Sequence, residues 1–208
     1  MKDIITEIRE VRGGLRVTVN EETVLCLTRK EQRAFFGKEG EVIDLEAFSH
    51  DLLLQQYPDA LNRAVRLLAV RARSCAEIEK RLTDACYMED TVEMVLTKLQ
   101  NENLLDDEAF AMQWARDRTM RQMGRARIRQ ELRMKGVSEE IAERALARID
   151  PQQQDEGAAR LAAKLYKRYQ SIPEADARRK IIMAMQRKGF SYSEARDAIE
   201  AVKRDWDA

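Results

Sequence analysis

The residues best equipped for chemistry are arginines. In MGRARIRQELRMKGV, residues 123–137, Arg125, Arg127, Arg129, Arg133 and Lys135 stand against Glu131 alone, in a chain whose 37 basic and 37 acidic residues cancel. Arg125, Arg129 and Arg133 follow one another at i, i+4 and i+8, so on a helix they form one ladder of guanidinium groups beside the apolar pair Ile128 and Leu132. Like charges at this spacing repel by ~0.2–0.5 kcal/mol per pair. An anionic partner would offset that repulsion, and guanidinium binds both phosphate and carboxylate well. The alternative is a solvated face of good helix formers. Arg116, Arg118 and Arg121 follow Trp114 on the preceding segment and extend the basic strip. Trp114 itself lies four residues after Phe110, a spacing that assigns it to a helix core rather than to base stacking.

The remaining reactive residue types assemble no catalytic or metal constellation. LLDDEAF, residues 104–110, gathers three acids. Asp106 suits an N-cap, and Asp107 and Glu108 suit the positive end of a helix dipole. Cys26, Cys75 and Cys86 show no CxxC spacing, and His50 is the only histidine, so neither a zinc site nor a disulfide framework is expected. Free cysteines of this kind serve as small apolar filler. Gly13-Gly14 lacks the spacing of a phosphate cradle and reads as a turn. No nucleotide-binding or nucleophile fingerprint occurs. A non-enzyme without cofactor or metal is expected.

Composition sets the frame for these residues. In 208 residues, 36% are charged and 6% aromatic, against roughly 25% charged in ordinary globular chains. Much of the chain must therefore face water, which favours an elongated monomer. No apolar run approaches the ~18 residues of a membrane span or a signal peptide's core. With no paired cysteines, a reducing cytoplasm is the expected location.

The elements that must carry the arginines are mostly helices. Residues 1–45 differ: IITEIREV, LRVTV and VLCL alternate around turn signals and predict a small β module. TRKEQRAFFGKEG then predicts one short helix stopped at Gly37, and LEAFSHDLLLQQY a helix ended before Pro58. The module, with its own turns, is expected to fold apart from the helices.

Beyond it the pattern repeats. IEKRLTDACYMEDTVEMVLTKL (78–99), IRQELRMKGVSEEIAERALARI (128–149) and IIMAMQRKGFSYSEARDAIEAV (181–202) align without gaps. Ile78, Ile128 and Ile181 coincide, as do Leu82, Leu132 and Met185, and Leu99, Ile149 and Val202. Each pair is preceded by one more amphipathic segment: ALNRAVRLLAVRAR, DEAFAMQWARDRTMR and EGAARLAAKLYKRY. The fold class is therefore mainly α, with three tandem three-helix repeats in a curved, elongated array after the β module. The expected divisions are a connecting helix with repeat 1 at 46–108, repeat 2 at 109–150 and repeat 3 at 157–203. Gly136 and Gly189 should end the middle helix of repeats 2 and 3 in the left-handed conformation, where repeat 1 carries Cys86. The arginine ladder is peculiar to repeat 2, because its equivalents are Cys75, Glu79 and Thr83 in repeat 1 and Arg178, Ile182 and Gln186 in repeat 3.

AVRLLAVRARSCAEIEKRL (64–82), LLDDEAFAMQWARDR (104–118) and GRARIRQELRMKGV (124–137) together resemble the RecX family, bacterial regulators of the RecA recombinase. Residues 60–150 carry the resemblance and 157–202 extend it through the repeat. Cys86 stands where a glycine is common and Asn103 where Gly often precedes the L-x-D motif, a mild departure because Asn tolerates the left-handed region. The resemblance implies a non-catalytic cytoplasmic protein of three helical repeats. Its implied partner is the RecA filament on single-stranded DNA, whose ATPase, strand exchange and SOS co-protease activity it would damp. Single- or double-stranded DNA is a second implied partner. The alternatives are a nucleic-acid-binding helical adaptor, which zero net charge disfavours, and a structural helical scaffold.

Overall fold

A computed structural model describes residues 2–207, with side chains described through Arg204. The chain divides into two compact units, Met1–Asp106 and Asp107–Ala208.

The first unit opens with strands β1 (Asp3–Val11), β2 (Gly14–Val19) and β3 (Thr23–Thr28). With β4 (Val42–Ile43) they form an antiparallel sheet of order β3-β2-β1-β4. Period-two alternation sends Leu15, Val17, Val19, Leu25 and Leu27 to one buried face. Between β3 and β4 the expected helix is cut short: α1 covers only Arg29–Gln32, held by a Thr28–Glu31 capping box. The chain leaves the helix so that the Phe35 ring can join the sheet's core and meet Phe48 edge-on at 6.1 Å. That ring fills the space beside Gly37, where a Cβ would lie 2.4 Å from its tip.

The helix expected to end before Pro58 instead runs on as α2 (Leu45–Val70). Pro58 removes one backbone hydrogen bond and crowds the preceding turn, a cost of about 3 kcal/mol in a helix interior. Anchoring on both sides outweighs it. Leu52, Gln56, Ala60 and Ala64 form one buried stripe; Leu52 packs in the sheet's core, while Ala60 and Ala64 pack with α3 (Cys75–Thr83) and α4 (Glu89–Asn101). A single rod thus serves two cores.

The sheet does not stand apart from the helices as its own turn signals suggest. Its core takes in Leu52 of α2 and Met88 at the start of α4. Gln56, fully buried, donates to the Cys26 carbonyl at 2.8 Å and accepts from the Met88 N–H at 2.8 Å. Gly13 abuts the turn between α3 and α4, where a Cβ would lie 2.4 Å from the Asp84 carbonyl oxygen.

The second unit holds two three-helix groups. The first contains α5 (Asp107–Met120), α6 (Arg125–Met134) and α7 (Glu139–Ala147) around Phe110, Ala115, Ile128, Leu132 and Leu146. The second contains α8 (Pro151–Tyr169), α9 (Glu174–Arg187) and α10 (Tyr192–Asp207) around Leu161, Ile181, Met185, Phe190 and Ile199. Helix α8 starts well before Glu156 because Pro151 sits at its first position and Asp150 caps the Gln152 N–H at 2.9 Å. Gly136 and Gly189 take φ of 73° and 90°, and Cys86 adopts the same left-handed region at 63°. Asn103 follows suit at 56°. The residues aligned across the three repeats occupy matching core places: Ile78, Ile128 and Ile181 are all fully buried.

Candidate functional site

Helix α6 enters through Gly124, which occupies the N-cap position without a side-chain cap. Ser or Asp would cap better, but a Cβ at 124 would lie 2.2 Å from the Gly189 carbonyl oxygen. Backbone fills the space instead, with the Gly124 N–H donating to the Lys188 carbonyl at 2.9 Å and the Ala126 N–H to that of Gly189 at 3.3 Å. The start of α6 is thereby fixed against the turn between α9 and α10. Ile128 and Leu132 are fully buried, and the arginine ladder rises along the flank they leave open.

The three rungs differ in their surroundings. Arg125 is half-buried and its Nη2 reaches the Ile149 carbonyl at 3.5 Å. Arg129 pairs with two acids of α7, Glu143 through a short hydrogen bond and Glu139 at 3.5 Å. The hydrogen bond to Glu143 holds the Arg129 pKa above its ordinary value, and the same bond lowers that of Glu143. Arg133 is exposed, and its side chain makes no hydrogen bond or ion pair among the described residues. The ladder thus runs from an anchored base to a free tip, with Glu139 and Glu143 of α7 facing its middle rung.

Of the three arginines on the preceding segment, Arg116 and Arg121 are exposed and likewise without a side-chain partner among the described residues. Arg118 turns inward. Its Nε donates to Glu131 at 2.6 Å and its guanidinium stacks 3.9 Å above the Trp114 ring. Trp114 stacks on Phe110, packs against the core of its repeat and donates from Nε1 to Glu131 at 3.2 Å. The Lys135 ammonium, reaching back from the end of α6, lies 4.2 Å from the centre of the same ring. Arg127 binds the second Glu131 oxygen at 3.1 Å. Burial raises the Glu131 pKa, but hydrogen bonds and charge from Arg118, with help from Arg127 and Trp114, bring it below the ordinary carboxylate value.

Glu131 is the residue that sequence reasoning undervalued, as the lone acid in a basic helix. It is the hub that ties α5 to α6 and sets the base of the basic face. Its position directly before Leu132, four residues after Arg127, was the available signal. The acids of LLDDEAF lie where capping places them: α5 begins at Asp107, with Asp107 and Glu108 in its first turn. Among the described residues no group of three or more His, Cys, Asp or Glu side chains gathers to hold a metal ion. No described helix is long and apolar enough to cross a membrane.

The chain is similar to known proteins along most of its length. Family models for the first, second and third three-helix domains of RecX match residues 60–99, 106–146 and 152–199. A regulatory protein RecX from Mycolicibacterium smegmatis is 37% identical over 145 residues, covering 67% of this chain and 77% of that protein. Another from Limosilactobacillus reuteri is 33% identical over 155 residues, covering 74% of this chain; the chain spans only 59% of that longer relative. Among solved structures, a crystal structure of regulatory protein RecX is similar at TM-score 0.66 and 28% identity, covering 97% of this chain and 99% of that one. The crystal structure of RecX from Lactobacillus salivarius gives 0.67 at 27% identity, covering 74% and 98%.

Proposed function

The chain belongs to the RecX family, and from that premise we propose that it is a non-catalytic cytoplasmic regulator. In this reading it acts as a monomer, binds the RecA filament on single-stranded DNA, and modulates its ATPase, strand exchange and co-protease activity. The observation that carries the reading is the basic face of repeat 2. Arg133 on α6, Arg116 on α5 and Arg121 in the turn between them stand exposed and unpaired among the described residues, with the two helices tied by the Glu131 hub. Arg125 and Arg129 complete the ladder. Arg118 acts through Glu131 and Trp114, positioning α5 rather than touching the partner.

The acids on α7 refine the proposal. An ion pair as exposed as Arg129 with Glu143 contributes roughly 0–1 kcal/mol, so an anionic partner can take over the guanidinium with little loss. The test is Arg125→Ala, Arg129→Ala and Arg133→Ala combined. Melting should hold within a few degrees, because lost surface pairs and relieved like-charge repulsion nearly cancel. Affinity for the RecA filament should fall at least tenfold, since each well-formed charge-assisted contact is worth roughly 1.5–3 kcal/mol. Glu79→Ala with Thr83→Ala, at matching places in repeat 1, is the control expected to bind normally. Wild-type inhibition of RecA ATPase by the triple variant would move the contact elsewhere. A salt titration separates the DNA-binding alternative, which would weaken along a steep log-log slope.

A further inference from the structure

The turn between α3 and α4 holds a second piece of chemistry. Cys26 lies on β3, directly opposite Arg16 of β2 in the sheet register. Cys86 lies beneath the same strands, 2% exposed, its sulfur within 3.4 Å of the Leu15 carbonyl, the neighbour of Arg16. The two thiols are neighbours beside Arg16: the Cys86 S–H donates to the Leu15 carbonyl, and Cys26, across from Arg16, lies with Thr83 and Tyr87 around one cavity. Cys26 is half-buried and opens onto a cavity of about 610 Å³ lined also by Arg16, Thr83, Tyr87, Glu89 and Leu96. Cys86, in contrast, is closed off from solvent.

Conformation adds an independent observation. Cys86 adopts φ of 63°, where repeats 2 and 3 place Gly136 and Gly189. A side chain is strained in that region, so a thiol is kept at a place that favours glycine, against another thiol on a separate element. The third cysteine, Cys75, lies apart on α3 and takes a hydrogen bond from Gln100 at 3.3 Å.

We propose that Cys26 and Cys86 form a peroxide-reactive dithiol, with Cys26 as the nucleophile and Cys86 as the resolving thiol, closing to an intramolecular disulfide between β3 and the α3–α4 turn. The neighbouring Cys86 thiol lowers the Cys26 pKa to about 6, against burial that raises it and with Arg16 assisting, while proximity to Cys26 and burial raise that of Cys86. Cys26, half-buried at the cavity and opposite Arg16, is thus the thiol placed to react, whereas Cys86 is shielded behind it.

In the first step the Cys26 thiolate attacks one oxygen of a hydroperoxide. The S–O bond forms, the O–O bond breaks, and the departing oxygen leaves as hydroxide or alkoxide and takes a proton from water. Cys26 is oxidised to the sulfenic acid and the peroxide is reduced to water or an alcohol. In the second step the Cys86 sulfur attacks the Cys26 sulfur, the S–S bond forms, the S–O bond breaks, and the leaving hydroxide departs as water with the Cys86 proton. Two thiols and one hydroperoxide become one disulfide, one alcohol or water, and one water. The product staples the sheet to repeat 1, and a thiol reductant reverses it.

The test treats the full chain with equimolar hydrogen peroxide, then alkylates remaining thiols and maps peptides by mass spectrometry without reduction. A Cys26–Cys86 crosslink lacking two hydrogens is expected, with Cys75 still alkylated. In Cys86→Ser, Cys26 should instead accumulate as a sulfenic acid trapped by dimedone, and in Cys26→Ser no crosslink should form. Arg16→Gln should slow oxidation severalfold. Because the wild-type chain alone gives the crosslink map, the outcome does not depend on the variants folding. Recovery of Cys26 and Cys86 fully alkylated after peroxide, or oxidation of Cys75 at the same rate as Cys26, would overturn the proposal.

Discussion

The inter-helix turn of repeat 1 and those of repeats 2 and 3 occupy the same place in one module and solve it differently. Repeats 2 and 3 use Gly136 and Gly189 at positive φ, then Ser138 and Ser191, which cap the next helix through the Ile141 N–H at 3.3 Å and the Glu194 N–H at 3.1 Å. Repeat 1 has Cys86 and Met88 at those two positions, and Met88 offers no side-chain cap. Both departures face the sheet: Cys86 reaches the Leu15 carbonyl, and the Met88 side chain completes the sheet's core. What is supplied from a distance is the other half of a capping box: Gln56 accepts from the Met88 N–H as Glu194 accepts from the Ser191 N–H in repeat 3. A neighbouring element thus supplies part of what the local capping rule would have supplied.

Gln56→Ala should break this arrangement with the largest effect. It removes a fully buried amide that serves the Cys26 carbonyl and the Met88 N–H together. Each buried group left unsatisfied costs ~1–3 kcal/mol, and the vacated space adds to that. A loss of about 4 kcal/mol is expected by urea denaturation, with sheet and repeat 1 weakened together. A loss below about 1 kcal/mol would mean the two are independently folded after all, since an isolated surface change rarely exceeds ~0.5 kcal/mol.

Next in size is the hub of repeat 2. Glu131 has Arg81 and Ala184 as its counterparts in repeats 1 and 3, so the module does not need it to fold. Repeat 2 does, having built Arg118 and Trp114 around it. Glu131→Ala should cost about 3 kcal/mol, the lower end for breaking a buried pair. Acid should act in the same direction. A carboxylate whose folded pKa is depressed contributes stability that is present above its unfolded value and lost as pH falls through the folded one. Glu131→Gln should therefore flatten the stability profile below the ordinary carboxylate range; an unchanged acid limb would assign that limb to other groups.

These two residues also show what was legible in the sequence. The repeats, their core positions and the left-handed glycines follow from helical periodicity and local backbone rules, and the structure bears them out. Pro58 misled because its penalty is local and visible, whereas the anchoring of Leu52 in one core and Ala60 in another is tertiary. The Arg133 tip was readable as a charge on an open flank. The partners of Arg118 and Arg129 were not, because Glu131 and Glu143 come from other helices. Cys86 registered as a departure from glycine, but its reason, a strand lying over it, is a long-range contact that no spacing encodes.

Smaller changes sharpen the contrast between the turns. Ser138→Ala should cost about 1 kcal/mol through the lost cap, measurable as a shift in melting. Gly136→Ala should cost a similar ~1 kcal/mol, because a Cβ is strained at φ of 73° and the exposed site provides no new burial in return. Cys86→Gly, the reverse exchange in repeat 1, has two opposing parts. Relief of the left-handed strain is worth about 1 kcal/mol, and losing a fully buried sulfur-bearing side chain costs about as much. A net change within ~0.5 kcal/mol is expected, the level of a neutral substitution. A clear stabilisation would show that the thiol under the sheet contributes nothing to packing. A loss above about 2 kcal/mol would show the reverse, that the sheet depends on the sulfur more heavily than its buried area accounts for.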